Sequence, residues 1–322
     1  NNATSTITST SSNLVISGTG KFQLAGTATV VPTANWNTSS TLEFANTYSA
    51  STTVTGLGQS FSNVTVNAPS LGTSGVIQCG GALVSIGKDL NITSTGSGSG
   101  SFSLQAGTTA VNVTIGGVFY QAAGAFDFSA GSSSGATNIN VAGNITSAGG
   151  TINTSGTVRN GAFVLTGSSP QTVSFTTPAN VSFTNFTVNS GATMKLGSGI
   201  VLNNSSTANY KGTILVNSGG SFDASTYTVT PASTTSGGSV FTISSGATFL
   251  TANTTGVAGS VPTATGLTSS FSTGANYVFN GTANQTTSTT LPATVNTLTI
   301  NNTGTSPTNI VTLTQATAIT AT

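Results

Sequence analysis

The chain has no histidine, one cysteine, one methionine and one tryptophan, and very little charge of either sign. Its five basic residues are Lys21, Lys88, Arg159, Lys195 and Lys211, and its four acidic ones are Glu43, Asp89, Asp127 and Asp223. A typical soluble domain carries about 25% charged residues, whereas this one has 3%, so Ser, Thr and Asn must wet its surface. Each absence removes a class of function. Five scattered cations cannot neutralise a run of phosphates, which argues against nucleic acid as a partner. Without His, and with a single Cys, no Cys/His zinc cluster can form. General acid–base catalysis has few groups to draw on. No apolar run approaches the roughly 20 residues that span a bilayer, so membrane insertion is not expected. Cys79, in GVIQCGGALVSI, has no intrachain partner and reads as a small buried hydrophobe, with an intermolecular link or a reactive thiol as the alternative.

Low charge with much Gly and Ser can mean disorder. Against that, 36% of the residues are hydrophobic and 16 are Phe, enough apolar surface to bury. The start, NNATSTITST, and the finish, ATAITAT, both break in mid-pattern, which reads as a processed or excised piece of a secreted chain.

What is present is repetition. TVNSGATMKL (187–196), LVNSGGSFDA (215–224), TISSGATFLT (242–251) and FSTGANYVF (271–279) are four versions of one phrase. Their glycines, Gly191, Gly219, Gly246 and Gly274, stand 28, 27 and 28 residues apart, a step of the size that marks stacked repeats. Three residues before each glycine stand Val188, Val216, Ile243 and Phe271, and three after it Met194, Phe222, Phe249 and Tyr277. Apolar and polar residues alternate on both sides with the period of a strand. The residues flanking each glycine are those of tight turns. Each phrase is therefore strand, corner, strand, with like side chains stacking on like. Few helix formers and many β-branched residues exclude helix.

A second version, VSIGKDLNI (84–92), VTIGGVFYQ (113–121) and INVAGNITS (139–147), aligns Ile86, Ile115 and Val141 at steps of 29 and 26. The expected fold is all-β, a parallel β-helix or β-solenoid. It should be right-handed by the crossover rule, with 27–28 residues per coil and about twelve coils at a spacing of roughly 4.8 Å. FSNVTVN (61–67), FTNFTVN (183–189) and VNTLTINN (295–302), following Gln59, Gln171 and Gln285, mark a longer repeat. Residues 1–322 read as a single solenoid with internal modules near 35–160, 161–274 and 275–322, the last partial. Phe163, near Gly161, falls out of phase with the columns.

GANYVFNGTANQTTSTTLPATVNTLTINN (274–302), with the SGAT and VAGNIT phrases, resembles the repetitive secreted proteins of Bacteroidetes described as adhesin-like or autotransporter-like, many of them type IX secretion cargo. The resemblance implies a surface-exposed or secreted solenoid and transfers no catalytic residue.

Chemistry is hard to place on this chain. Glycoside hydrolysis needs two carboxyl groups about 5–10 Å apart, and the four acids lie in unrelated phases of the repeat. Asp89 beside Lys88 reads as a solvated corner pair, and Asp223 points outward. STGSGSGS (94–101) lacks the Lys and helix of a phosphate loop and reads as a flexible corner. Thr-x-Thr pairs such as Thr53/Thr55, Thr226/Thr228 and Thr297/Thr299 do not recur at the coil step, so no ice-binding ladder is expected. Asn-x-Ser/Thr sequons are attributed to composition.

The reading is an extracellular or cell-surface structural and adhesive β-solenoid, not an enzyme, with no cofactor or metal. It would form rods or filaments, head to tail with copies of itself or as part of a longer parent chain, and contact glycans or host and cell surfaces. The alternative is a carbohydrate-binding module using Trp36, Tyr48, Tyr120 and Tyr210 as sugar platforms.

Overall fold

A computed structural model describes residues 9–10, 13–130, 135–153, 161–178, 184–204, 211–233 and 238–320. It is 46% strand and 2% helix, a β-solenoid of about 10 turns averaging about 26 residues each. The strand pairs whose register is described are all parallel. The average coil is slightly shorter than 27–28 residues, because the four-phrase alignment samples some of the longest coils, and there are about ten turns rather than twelve. Lys21 pairs with Thr41 and Thr41 with Asn63, steps of only 20 and 22 residues. Leu90 pairs with Phe119, a step of 29, and Asn276 with Thr297, a step of 21. Corner length varies from coil to coil, and the strands hold register regardless.

The chain divides into two compact units, Asn1–Ala162 and Phe163–Thr322. In the first, each complete coil contributes three short strands to three parallel sheets. The longest face orders Lys21–Gly26, Thr41–Asn46, Asn63–Asn67, Leu90–Ser94, Phe119–Gln121 and Ile145–Ser147. A second face contains Ser60–Phe61, Ser85–Ile86, Val111–Ile115 and Thr137–Val141. Ser51–Thr53, Val76–Gln78, Ser101–Gln105, Ala125–Ser129 and Thr151–Asn153 form the third. Val111–Ile115 shows the local logic: Val111, Val113 and Ile115 point inward and are buried, while Asn112 and Thr114 are exposed. β-Branched residues suit such a half-buried pleated surface. Ile86, Ile115 and Val141 stack in one register.

Rings fill the interior of this unit. Phe44 lies 5.5 Å from Phe102, and Phe126 lies 5.1 Å from Phe119 and 5.2 Å from Phe128, centroid to centroid. These are the offset and edge-on arrangements that aromatic quadrupoles favour. Cys79 is buried, and burial pushes its thiol pKa up. STGSGSGS is not a loose corner: Thr95 Oγ1 donates to the Gly100 carbonyl at 2.8 Å, and the Ser99 amide donates to Thr73 of the preceding coil at 3.0 Å.

In the second unit the longest face runs Gln171–Phe175, Thr193–Leu196, Ser221–Asp223, Thr248–Thr251, Asn276–Phe279 and Thr297–Ile300. Val188 pairs with Val216, Val216 with Ile243, and Ile243 with Phe271. Across the corner, Met194, Phe222, Phe249 and Tyr277 form a second in-register column. Seven of the eight are buried, and Phe271 is half-buried. Phe163 is not out of phase. It is fully buried, and its ring stacks on Phe186 at 6.0 Å. Helix is not wholly excluded either: Gly256–Ser260 forms a single helical turn on the third side. Val257 is buried there, and the Ser260 and Thr251 hydroxyls bond at 2.7 Å.

Candidate functional site

Surface chemistry on a solenoid is set by two kinds of position, the corners and the outward columns of the strands. The corner glycines of the four phrases carry a ladder of their own. Gly191 N–H donates to the Gly219 carbonyl at 2.9 Å, Gly219 to Gly246 at 3.0 Å, and Gly246 to Gly274 at 2.9 Å. Each corner is also closed within its own coil, as by Ala192 N–H to the Asn189 carbonyl at 3.0 Å. Gly191 and Gly246 have φ of 81° and 75°, the left-handed conformation required at the third residue of such turns. Ser190, Ser218 and Ser245 sit beside the following coil's glycine, where a Cβ on Gly219, Gly246 or Gly274 would overlap the serine hydroxyl.

Glutamines latch the irregular corners. The Gln59 side chain accepts from Ala34 N–H at 3.1 Å and Trp36 Nε1 at 2.9 Å, and donates to the carbonyls of Pro32 and Gly56. Gln285 accepts from Gly281 N–H at 2.8 Å and donates to Thr251 and Asn253. Gln171 accepts from Gly167 N–H at 2.8 Å. These three residues, which mark the longer repeat, are thus buried or part-buried amides satisfying backbone groups that no ladder reaches. Many outward asparagines bond from coil to coil in the same spirit. Asn217 donates to Asn189 at 3.3 Å, Asn138 to Asn112 at 3.2 Å, and Asn296 to Asn276 at 2.8 Å.

The carboxylates are engaged structurally. Glu43 is buried and takes Lys21 Nζ and Gln23 Nε2, each at 2.6 Å. Lys88 and Asp89 are not a pair, because each finds a partner in another coil. Lys88 donates to Ser39 Oγ at 3.0 Å, and Asp89 Oδ1 accepts the Val118 amide at 2.8 Å. Asp127 accepts from Ser129 N–H at 3.1 Å. Asp223 holds Ser225 N–H at 2.8 Å, where Ser225 has φ of 51°. Among the described residues no group of three or more His, Cys, Asp or Glu is placed to hold a metal ion, and no helix is long and apolar enough to cross a membrane. The Thr297/Thr299 pair faces Asn276 and Val278 of the preceding coil, so the Thr-x-Thr pattern breaks there.

The four aromatic platform candidates part company. Tyr48 is a correction: it is 4% exposed, and its hydroxyl donates to the Ala28 carbonyl. Burial raises its pKa to about 12. Trp36 is half-buried, packed edge-on against Phe61 at 4.8 Å and Phe22 at 6.3 Å, with its indole N–H held by Gln59. Both are engaged within the protein, so neither is a free sugar platform like an exposed ring. Tyr210 lies outside the described residues. Tyr120 is exposed on the outward side of Phe119–Gln121. Sequence reasoning passed over Tyr227, which is equally exposed. A depression of about 270 Å³ lies between Gly81, Val84, Gln105, Thr109 and Asn112. The Gln105 amide there is already bonded to Ala106, Gly107 and Thr109.

Comparison with protein-family models, with curated proteins and with solved structures finds no match to this chain.

Proposed function

We propose that this chain is an extracellular structural and adhesive β-solenoid that presents neutral faces and joins coil on coil to like solenoid, in copies of itself or in a parent chain. The observation that supports this reading most is the second unit's outermost described strand. Thr297–Ile300 pairs on one side only, with Asn276–Phe279. Ile300, Ile310, Leu313 and Ile319 around it are each more than half exposed. An unpaired strand edge beside uncovered apolar side chains is a template for further pairing. The occupant that satisfies both features is another parallel coil with alternating apolar residues. The first unit's Lys21–Gly26 strand has that pattern, with Phe22 and Leu24 turned inward. A head-to-tail contact of this kind does not close, so it propagates.

The near absence of charge fits a role in which the scaffold rather than a reaction centre is the product. Surface wetting by Ser, Thr and Asn keeps the faces polar without electrostatic steering. Sedimentation velocity and electron microscopy of the purified 322-residue chain test the assembly. End-to-end oligomers that lengthen with concentration are expected, and Ile300→Lys should shorten them. A monodisperse monomer at every concentration would refute self-assembly.

A further inference from the structure

We infer that the outward row Thr65–Asn91–Tyr120–Thr146 of the first unit is a contact strip for a neutral glycan chain lying along the direction of coil stacking. The four residues stand in consecutive strands in direct register: Thr65 opposite Asn91, Asn91 opposite Tyr120, and Tyr120 opposite Thr146. Three strand spacings place the ends roughly 14 Å apart, the reach of a short oligosaccharide.

What distinguishes this row is an exposed aromatic ring set in register among polar side chains that have no work inside the protein. Several outward asparagines bond to the next coil, as Asn217, Asn138 and Asn296 do, and Asn140, opposite Thr114, has no such bond but no exposed ring in its row. The side chains of Thr65, Asn91, Tyr120 and Thr146 form no hydrogen bond with any described residue. The row therefore offers an amide, two aliphatic hydroxyls and a phenol to an external partner, with an exposed ring among them. Val118 and Ala122, two residues to either side of Tyr120 and half-buried, flank the ring with low apolar surface. An aromatic body with a polar tip, set between amide and hydroxyl groups, suits a partner that presents both C–H faces and hydroxyls. Sugar rings have that chemistry.

Charge narrows the class. The row itself carries no ionised group. Glu43, opposite Thr65 at one end, is buried against Lys21, and Asp89 bonds Val118 beside the ring. An acidic glycan would find no free cation in the row and a carboxylate close by, so a neutral polymer is the ligand that fits. This inference gives content to the adhesive part of the proposed function and is independent of end-to-end assembly.

The test is retention of the 322-residue chain on cellulose, chitin, xylan and mannan, with alginate and pectate as acidic comparisons, followed by titration with oligosaccharides of any polymer that retains it. Retention on at least one neutral polymer is expected. Tyr120→Ala should weaken it tenfold or more, Tyr120→Phe should retain most of it, and Tyr227→Ala should leave it unchanged. The Asn91→Ala/Thr146→Ala double variant should weaken binding as well. All these side chains point to solvent, and far-ultraviolet circular dichroism verifies that each variant keeps the fold. No retention on any neutral polymer, preferential retention on the acidic ones, or undiminished binding by Tyr120→Ala would overturn the strip. Sedimentation is read separately, so failure here is distinguishable from failure of assembly.

Discussion

The corner glycines separate two costs that usually arrive together. Gly191 has φ of 81° and open space where a Cβ would go, so Gly191→Ala carries backbone strain alone. An L-residue in the left-handed region costs about 1–2 kcal/mol, offset in part by about 0.4–1 kcal/mol from the reduced freedom of the unfolded chain. The net loss is about 1 kcal/mol, or a melting temperature lower by about 2–4 °C for a unit of this size. Gly274 is not left-handed, and its Cβ would meet the Ser245 hydroxyl, which can rotate away, and approach Ser245 Cβ at 3.2 Å, which needs a shift of only a few tenths of an ångström. Gly274→Ala should therefore be close to neutral, and neutral or stabilising when combined with Ser245→Ala. Gly246→Ala carries both costs, with φ of 75° and the Ser218 hydroxyl in the way, and should be the most damaging of the three. Thermal melts followed by circular dichroism give the ranking. If Gly274→Ala proved as damaging as Gly191→Ala, corner conformation would not be what these glycines supply.

Two further perturbations probe the columns and the buried phenol. Ile243, 1% exposed between Val216 and Phe271, should not tolerate Asp: an unpaired buried carboxylate costs several kcal/mol, whereas Ser245→Asp at the exposed corner should change the melting temperature little. Equal shifts would contradict the register. For Tyr48, both folded and unfolded phenols are neutral below about pH 10. Between there and the folded value of about 12 only the unfolded form ionises, so stability falls as pH rises, by up to about 2–3 kcal/mol. Denaturant titrations at pH 9 and pH 11.5 should show a smaller fall for Tyr48→Phe than for the parent chain, and identical falls would mean that Tyr48 is not buried.

The second unit's columns were legible because three independent signals share one phase there: alternating apolar residues, a glycine at a fixed offset, and a repeating corner. Where one signal drops out, sequence reading falters. Phe163 is core, but no in-phase corner glycine announces it. TTGVAGS carries no helical periodicity, and its single helical turn is held by tertiary burial of Val257 and Ser260. Tyr48 could have been placed from the strand before it: Leu42, Phe44 and Asn46 of Thr41–Asn46 are buried, and Tyr48 continues the same alternation. Tyrosine's polar tip made it look like a surface residue, yet a single carbonyl acceptor at Ala28 satisfies it. Asp89 and Lys88 misled for a different reason. In a solenoid a corner residue's partners lie one or two coils away, as Val118 does for Asp89 and Ser39 for Lys88, and adjacency in sequence says little.

That geometry also explains why the fold is easier to read than the surface. Every inward position is constrained by the same position one coil before and after, so a handful of columns specifies the core many times over. Outward positions obey the same translation, and their default use is internal: asparagine on asparagine and glutamine on a loop carbonyl. These bonds stabilise the stack and carry no information about a partner. A functional surface is then sought among the departures from this default, rows whose polar groups are in register but not bonded to one another. Asn91 and Thr146 on either side of Tyr120 meet that condition, and so do Thr114 and Asn140 on another face; only the first row has an exposed ring between them. A count of exposed aromatics alone would have ranked Tyr227 equally. On a repeat scaffold the two observations discriminate together, and the first becomes visible only once register is known.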